Sequence, residues 1–251
     1  MEAQENKFKT DIIYGIHAVT EAMQNNTEIN KILVQKETKN AGIANIIKLC
    51  GELHIPYQFV PKEKFYALKQ KNHQGVCAYV SPIVYQNLDT LTTQWFSDGI
   101  EPMILVLDKV TDMRNFGAIA RTALCSGVNA IVVPHTDSAP VNMDAIKTSA
   151  GALLKIPVCR EKHLKTTIEY LNQCGFTTIA CTEKADYTLS QTDFSGPIAI
   201  ILGSEEKGIS PDVLNRCRHK ARIPMNFGVA SLNVSVAAGI AMYEAICQRN
   251  L

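Results

Sequence analysis

The chain reads as an α/β protein whose C-terminal part builds a mainly parallel sheet behind a smaller N-terminal α/β domain. Three observations predict this. Strand-length apolar runs alternate with helical patterns along the whole sequence. In the second half the runs are apolar at every residue, as in "MILVL" and "IAIIL", which suits strands covered on both faces. Between Ser81 and Pro102 the alternation dissolves into "SPIVYQNLDTLTTQWFSDGIEP", bounded by prolines and without a clear period.

In the first part, "KILVQ" (31–35), "YQFV" (57–60) and "VCAYV" (76–80) read as strands, with helices around 16–25, 40–52 and 62–70. The second part starts again with "MILVLD" (103–108). "AIVVP" (130–134), "IPVC" (156–159), "TTIAC" (177–181), "IAIILG" (198–203) and "HKARIP" (219–224) follow, with helices near 115–126, 163–173 and 232–248. The expected organisation is a domain over 1–82, a linker over 83–101 and a second domain over 102–251.

Composition narrows the class. With 251 residues, 46% hydrophobic and 20% charged, the chain has an ordinary globular make-up. The opening "MEAQENKFKT" is polar and charged, unlike a signal or transit peptide, and the apolar runs are far too short to span a membrane. The eight cysteines, at 50, 77, 125, 159, 174, 181, 217 and 247, form no CxxC pair and lie near no histidine cluster. That pattern argues against a metal site and for reduced core thiols in a cytoplasmic protein. A net charge of +1 neither demands nor excludes a polyanionic partner. Locally, Lys62, Lys64, Lys69 and Lys71 cluster beside Phe65, Tyr66 and His73. This is either a phosphate-contacting edge or a solvated helix face, and His73 suits a turn as well as a contact.

Ligands of open α/β sheets gather at strand carboxyl ends. Neither G-x-G-x-x-G nor a P-loop follows any strand here, which counts against a Rossmann dehydrogenase and a P-loop nucleotide hydrolase. Three strand ends are polar instead. In "NFGAIARTALCSG", Asn115 is positioned to cap a helix. Arg121 is the sole charge between Asn115 and Val128, so it needs a bound anion, a partner such as Asp108 or Asp112, or a path to solvent. In "LGSEEKGIS", Gly203 permits close approach to the backbone, Glu205 and Glu206 occupy a loop, and Ser210-Pro211 starts a helix. In "RIPMNFGVASLNVSVAAGIAMYEA", Ser231 reads as an N-cap, leaving Asn233 and Ser235 in the first turn. Three polar side chains converge where capping requires one, which favours a site.

These segments together resemble the SpoU-type (TrmH-like) RNA 2'-O-ribose methyltransferases. Asn115, Gly117 and Arg121 match the first motif, Gly203, Glu205 and Gly208 the second, and "IPMNFGVASLNVSVAAGI" the third nearly throughout. "YGIHAV" (14–19) and "HQGVCAYV" (73–80) resemble the substrate-binding domain of ribosomal members, most closely those that methylate a guanosine of 23S ribosomal RNA. Met113 departs from the family's frequent proline at that position.

The resemblance implies an α/β-knot methyltransferase domain, with a trefoil-knotted, mainly parallel sheet, behind an L30e-like RNA-binding domain. It further implies a homodimer that shares catalytic groups, and S-adenosylmethionine held by Leu202, Gly203, Gly208, Ile223, Met225 and Leu232. Arg121, Asn115, Glu205, Ser231 and Asn233 would then serve the transfer, and Lys62, Lys64, Lys69, Lys71 and His73 would contact RNA. A guanidinium is a poor base, so Arg121 is expected to grip a phosphate and stabilise developing alkoxide charge. A transfer-RNA methyltransferase is the alternative within the family, disfavoured by the lack of a basic extension after the last helix. A non-catalytic RNA-binding protein retaining the fold is the alternative outside it.

Overall fold

The computed structural model describes residues 12–25, 27–38, 40–68, 70–226 and 231–249. Two compact units emerge: a smaller one running through Val84 and including Pro140–Met143, and a larger one holding Tyr85–Ala139 and the chain from Asp144.

In the smaller unit, strands β1 (Ile12–Tyr14), β2 (Ile29–Gln35), β3 (Tyr57–Val60) and β4 (Val76–Val80) form a sheet of order β1-β4-β2-β3. β2 and β3 run parallel; the other pairs are antiparallel. Helices α1 (Ile16–Gln24) and α2 (Ala41–Glu52) cover one face. They bury Val19, Ala22 and Met23, and Ile43, Ile46 and Cys50, at the spacing of one helix face. These side chains pack on Ile32, Val34, Val76 and Ala78. Asn40 caps α2 by accepting from the Gly42 N–H at 2.8 Å. Residues 62–70, expected as an α-helix, instead form a 3₁₀ helix (Lys62–Leu68) that lays Phe65 and Leu68 over Leu33, Val60 and Cys77. The tighter turn brings two apolar side chains three residues apart onto one face.

The larger unit contains α3 (Leu88–Ser97), β5 (Met103–Asp108), α4 (Met113–Cys125), β6 (Ala130–Pro134), α5 (Met143–Thr148) from Asp144 onward and a 3₁₀ turn (Ala152–Leu154). β7 (Val158–Glu161), α6 (Leu164–Gln173), β8 (Thr177–Cys181), β9 (Tyr187–Thr188) and β10 (Ile198–Gly203) follow. α7 (Pro211–Leu214), β11 (His219–Arg222) and α8 (Val234–Arg249) complete it. The sheet order is β7-β6-β5-β10-β8-β11-β9, and every pairing is parallel. Residues 103–107 and 198–202 are all buried, as continuous apolar runs require when both faces are covered.

Two stretches differ from the sequence reading. The supposed linker 83–101 carries α3, whose Leu88 and Trp95 are buried and whose cap is Asn87, accepting from the Thr90 N–H. Its apolar stripe is only two turns long, too short for the period to stand out. The strand expected at 156–159 spans Val158–Glu161, because Pro157 cannot donate to the ladder.

From β5 the chain builds outward to β6 and β7 on one side, while β10 and β8 lie on the other. The order therefore reverses between β5 and β10, and a crevice opens at their carboxyl ends.

Candidate active site

The turn after β10 is fixed from below. Gly203 pairs in register with Asp108, the last residue of β5. A Cβ on Gly203 would sit 2.1 Å from the Gly208 carbonyl carbon and 2.2 Å from the Ile209 nitrogen. What a side chain on Gly203 would meet is therefore the chain's own returning loop. Gly208 N–H donates to the Ser204 carbonyl at 2.8 Å, and Gly208 has φ +65°. The buried Asp108 carboxylate accepts from the Ser210 N–H at 2.7 Å, locking the far end of the loop. Glu205, Glu206 and Lys207 are left exposed on this rigid turn.

Glu205 joins all three sequence motifs. Its Oε1 accepts from Asn115 Nδ2 at 2.9 Å, from Asn233 Nδ2 at 2.5 Å and from the Val234 N–H at 3.3 Å. Asn233 Nδ2 also donates to Asn115 Oδ1 at 2.9 Å. Two expected caps move accordingly. Asp112, not Asn115, caps α4, accepting from the Arg114 and Asn115 N–H groups at 2.9 and 2.8 Å. Asn233, not Ser231, caps α8: its Oδ1 accepts from the Ser235 N–H at 2.9 Å and from the Ser235 hydroxyl. Both asparagines are thereby placed for contacts across the fold.

A cleft of about 350 Å³ opens over the carboxyl ends of β10, β8 and β11. Leu202, Gly203, Gly208, Ile223, Met225 and Leu232 all line it, as do Ser231 and Glu205. The sequence reading missed Cys181, Thr182, Glu183 and Lys184 on the same wall, although a polar run directly after "TTIAC" is itself a strand-end signal. Burial pushes the Cys181 thiol up to about 12, so it is a neutral wall group at physiological pH. A second cleft, about 380 Å³, adjoins the first and shares Ser204, Glu205, Glu206, Lys207 and Val234 with it. Asn115 and Asp112 line this second cleft.

Arg121 is not brought to either cleft. Its side chain is exposed on α4 and pairs with no described residue, so of the three sequence alternatives a pair with Asp108 or Asp112 is not formed and the path to solvent is. Gly117, by contrast, is where α4 packs closest: a Cβ there would lie 2.7 Å from Thr148 Cβ.

In the smaller unit Lys62, Lys64 and Lys71 are exposed, Lys71 with its Nζ 4.8 Å from the centre of the Tyr14 ring; Lys69 lies outside the described residues. His73 has a structural place. Its ring stacks on Phe65 at 4.8 Å, and Nδ1 accepts from the Gly75 N–H at 3.0 Å. Residues 227–230 of the third motif also lie outside the described set. Among the described residues, no helix is long and apolar enough to cross a membrane, and no cluster of three His, Cys, Asp or Glu side chains is placed to hold a metal.

Fold and clefts make the larger unit an α/β domain with its crevices at the carboxyl edge of a parallel sheet, the place where this architecture takes small molecules. Comparison with known proteins makes the class specific. The model of the SpoU rRNA methylase family matches residues 102–243, and that of the RNA 2'-O ribose methyltransferase substrate-binding domain matches residues 12–86. The chain belongs to the SpoU (TrmH) family of RNA methyltransferases. Among its relatives is a Staphylococcus saprophyticus protein carrying the TrmH family tRNA/rRNA methyltransferase name, 38% identical over 95% of this chain and 96% of its own. The fold is shared with the SpoU methyltransferase AviRb of Streptomyces viridochromogenes, at TM-score 0.60 and 19% identity over 99% of this chain and 92% of that one. AviRb has also been solved with AdoMet. The A. aeolicus TrmH/SpoU tRNA modifying enzyme matches at TM-score 0.54 and 29% identity, over 60% of this chain and 76% of that one.

Proposed function

We propose that the protein transfers the methyl group of S-adenosylmethionine to a ribose 2'-hydroxyl of RNA, at a guanosine of 23S ribosomal RNA, in the cytoplasm. One observation carries the reading: Glu205 fastens Asn115 of the first motif to Asn233 of the third where the two clefts meet. The first cleft fits the donor. Its apolar wall of Leu202, Ile223 and Leu232 suits a planar base, strand-end backbone groups are available for the base edge, and its volume falls in the range of roughly 300–1,000 Å³ typical of small-molecule sites.

When bound, S-adenosylmethionine supplies an electrophilic methyl group that needs no metal activation. The chain's part is alignment and charge control. Glu205, held by three donors, orients the Asn115 and Asn233 amides that would position the ribose. Ser231 would shape the mouth of the donor cleft. Alignment of this kind is worth up to about 7–11 kcal/mol in favourable intramolecular models.

Arg121 completes the site from a second copy of the chain. Its exposure away from both clefts, together with an exposed stripe of Val236, Ile240 and Tyr243 along α8, supports a homodimer that shares its catalytic groups. There the guanidinium would bind the neighbouring phosphate as a fork and stabilise the developing alkoxide, with a phosphate oxygen receiving the proton. Family membership further supports a trefoil knot in the larger unit and boundaries near residues 82 and 102.

Lys62, Lys64, Lys69 and Lys71 of the smaller unit would grip RNA through its phosphates. A substrate-binding domain over 12–86 and a match to the rRNA methylase model favour ribosomal over transfer RNA. The test is methylation of unmodified 23S and transfer-RNA transcripts side by side. Faster 2'-O-methylation of the 23S transcript is expected; exclusive modification of transfer RNA would overturn that choice.

A further inference from the structure

Strand β11 breaks the pattern of the sheet it belongs to. β5, β6 and β10 are apolar and buried at almost every residue, as a parallel sheet covered on both faces requires. β11 and its approach instead read Arg216, Cys217, Arg218, His219, Lys220, Ala221 and Arg222, five basic residues in seven. Ala221 alone is buried, and all five basic side chains are exposed.

Register sorts these side chains by face. Lys220 lies beside Ala180 of β8, and alternate residues of a strand point the same way. Arg218, Lys220 and Arg222 therefore share the face on which α6 packs against Ala180, while His219 points to the other. At the start of the row, Arg216 pairs with Glu169 of α6, and Arg218 donates to the Asn172 carbonyl of the same helix. That neutral partner leaves the Arg218 charge uncompensated. Lys220 and Arg222 make no hydrogen bond or ion pair with any described residue.

Charges on a weakly paired strand can serve to deter edge-to-edge association. β9 covers only Ala221 and Arg222, so that role is open to this strand. Deterrence works with charge of either sign, however, whereas this row is entirely positive. Its spacing is also specific. Alternate residues of a strand stand about 6.5 Å apart, so the row spans about 13 Å. Successive phosphates of an extended RNA strand repeat at a similar distance. The row ends at the donor cleft, because Ile223 and Met225, just past Arg222, line it. We propose that Arg218, Lys220 and Arg222 form a phosphate track that holds the single RNA strand leading to the acceptor nucleotide. The track rests on the RNA methyltransferase reading and adds where the larger unit itself grips the substrate backbone. Contacts of this kind carry no sequence information; they fix the register in which the strand reaches the donor.

Salt dependence reads the track directly, since each phosphate contact on a single strand adds about 0.7 to the slope of log K against log salt. Full-length protein is titrated with a fluorescent 23S ribosomal RNA fragment carrying the mapped acceptor, at several salt concentrations. The triple variant Arg218→Gln, Lys220→Gln, Arg222→Gln should lower the slope by about 2 and the affinity about tenfold to a hundredfold near 0.1 M salt. KM for RNA should rise in step, with kcat, affinity for S-adenosylmethionine and Tm at wild-type values. Lys220→Gln alone should already lower the slope by about 0.7, which keeps the test open if the triple variant does not fold. Arg218→Lys with Arg222→Lys keeps the charges and should bind as the wild type does. An unchanged slope in the triple variant and in Lys220→Gln overturns the track while leaving RNA methylation intact. So does an equal loss per charge on neutralising Lys48 and Lys155, exposed elsewhere, which would mark an effect of net charge alone. A wild type that neither binds nor methylates RNA overturns the parent reading and this one with it.

Discussion

Gly203 and Gly208 belong to one motif, yet the structure requires them for different reasons, and alanine replacement should separate the two. In Gly203→Ala the new methyl carbon would begin 2.1 Å from backbone atoms at Gly208, against an ordinary contact of at least 3.4 Å. The obstructing atoms are main chain and cannot swing aside, so the returning loop must retreat by more than 1 Å. That movement strains the Asp108–Ser210 anchor and deforms the donor cleft, which both glycines line. Overpacking of this kind costs about 1–3 kcal/mol, or roughly 3–10 °C in Tm for a chain of this size. A methyl group on Gly208 would have nothing within 4 Å, so Gly208→Ala meets only the left-handed φ penalty of about 1–2 kcal/mol. Thermal unfolding and calorimetric titration with S-adenosylmethionine provide the assay. Gly203→Ala should lose at least tenfold in donor affinity and be the less stable of the two. Wild-type Tm and donor affinity in Gly203→Ala would refute the reasoning.

Further consequences can be checked in the same preparations. Arg121→Ala should abolish methylation while sparing donor binding, because Arg121 lines neither cleft of its own chain; Arg121→Lys should fail too if planar phosphate recognition matters. Mixing Arg121→Ala with Asn115→Ala subunits, each inactive alone, should restore roughly a quarter of wild-type turnover through heterodimers with one complete site; no recovery would mean each chain supplies its own arginine. Ile240→Lys, on the exposed stripe of α8, should yield monomers by sedimentation and lose activity together with the dimer. Asn233→Ala removes the cap of α8 and one donor to Glu205, so about 1 kcal/mol of stability and most of the turnover should go together.

The parallel sheet was readable from sequence because strands covered on both faces leave an unmistakable residue pattern, as in Met103–Asp108 and Ile198–Gly203. α3 was hidden because its buried positions, Leu88, Thr92 and Trp95, include a threonine and span only two turns. The capping residues were misassigned for a shared reason. Local sequence offers several polar side chains near each helix start, and a contact distant in sequence decides among them. Asp112 takes the cap of α4 and frees Asn115 for Glu205, ninety residues away; Asn233 both caps α8 and reaches Glu205. The sequence left Arg121 open between an anion, a local carboxylate and a path to solvent, since periodicity shows that a helix has a buried face but not which polar residue looks outward from it.

Methyl transfer to a sugar oxygen is the central claim, and nucleoside mass spectrometry tests it most directly. Unmodified 23S ribosomal RNA is incubated with the protein and isotopically labelled S-adenosylmethionine, digested to nucleosides and fragmented. The label should travel with the ribose fragment of guanosine. Label retained on the base fragment, or absent from the RNA altogether, would contradict the claim.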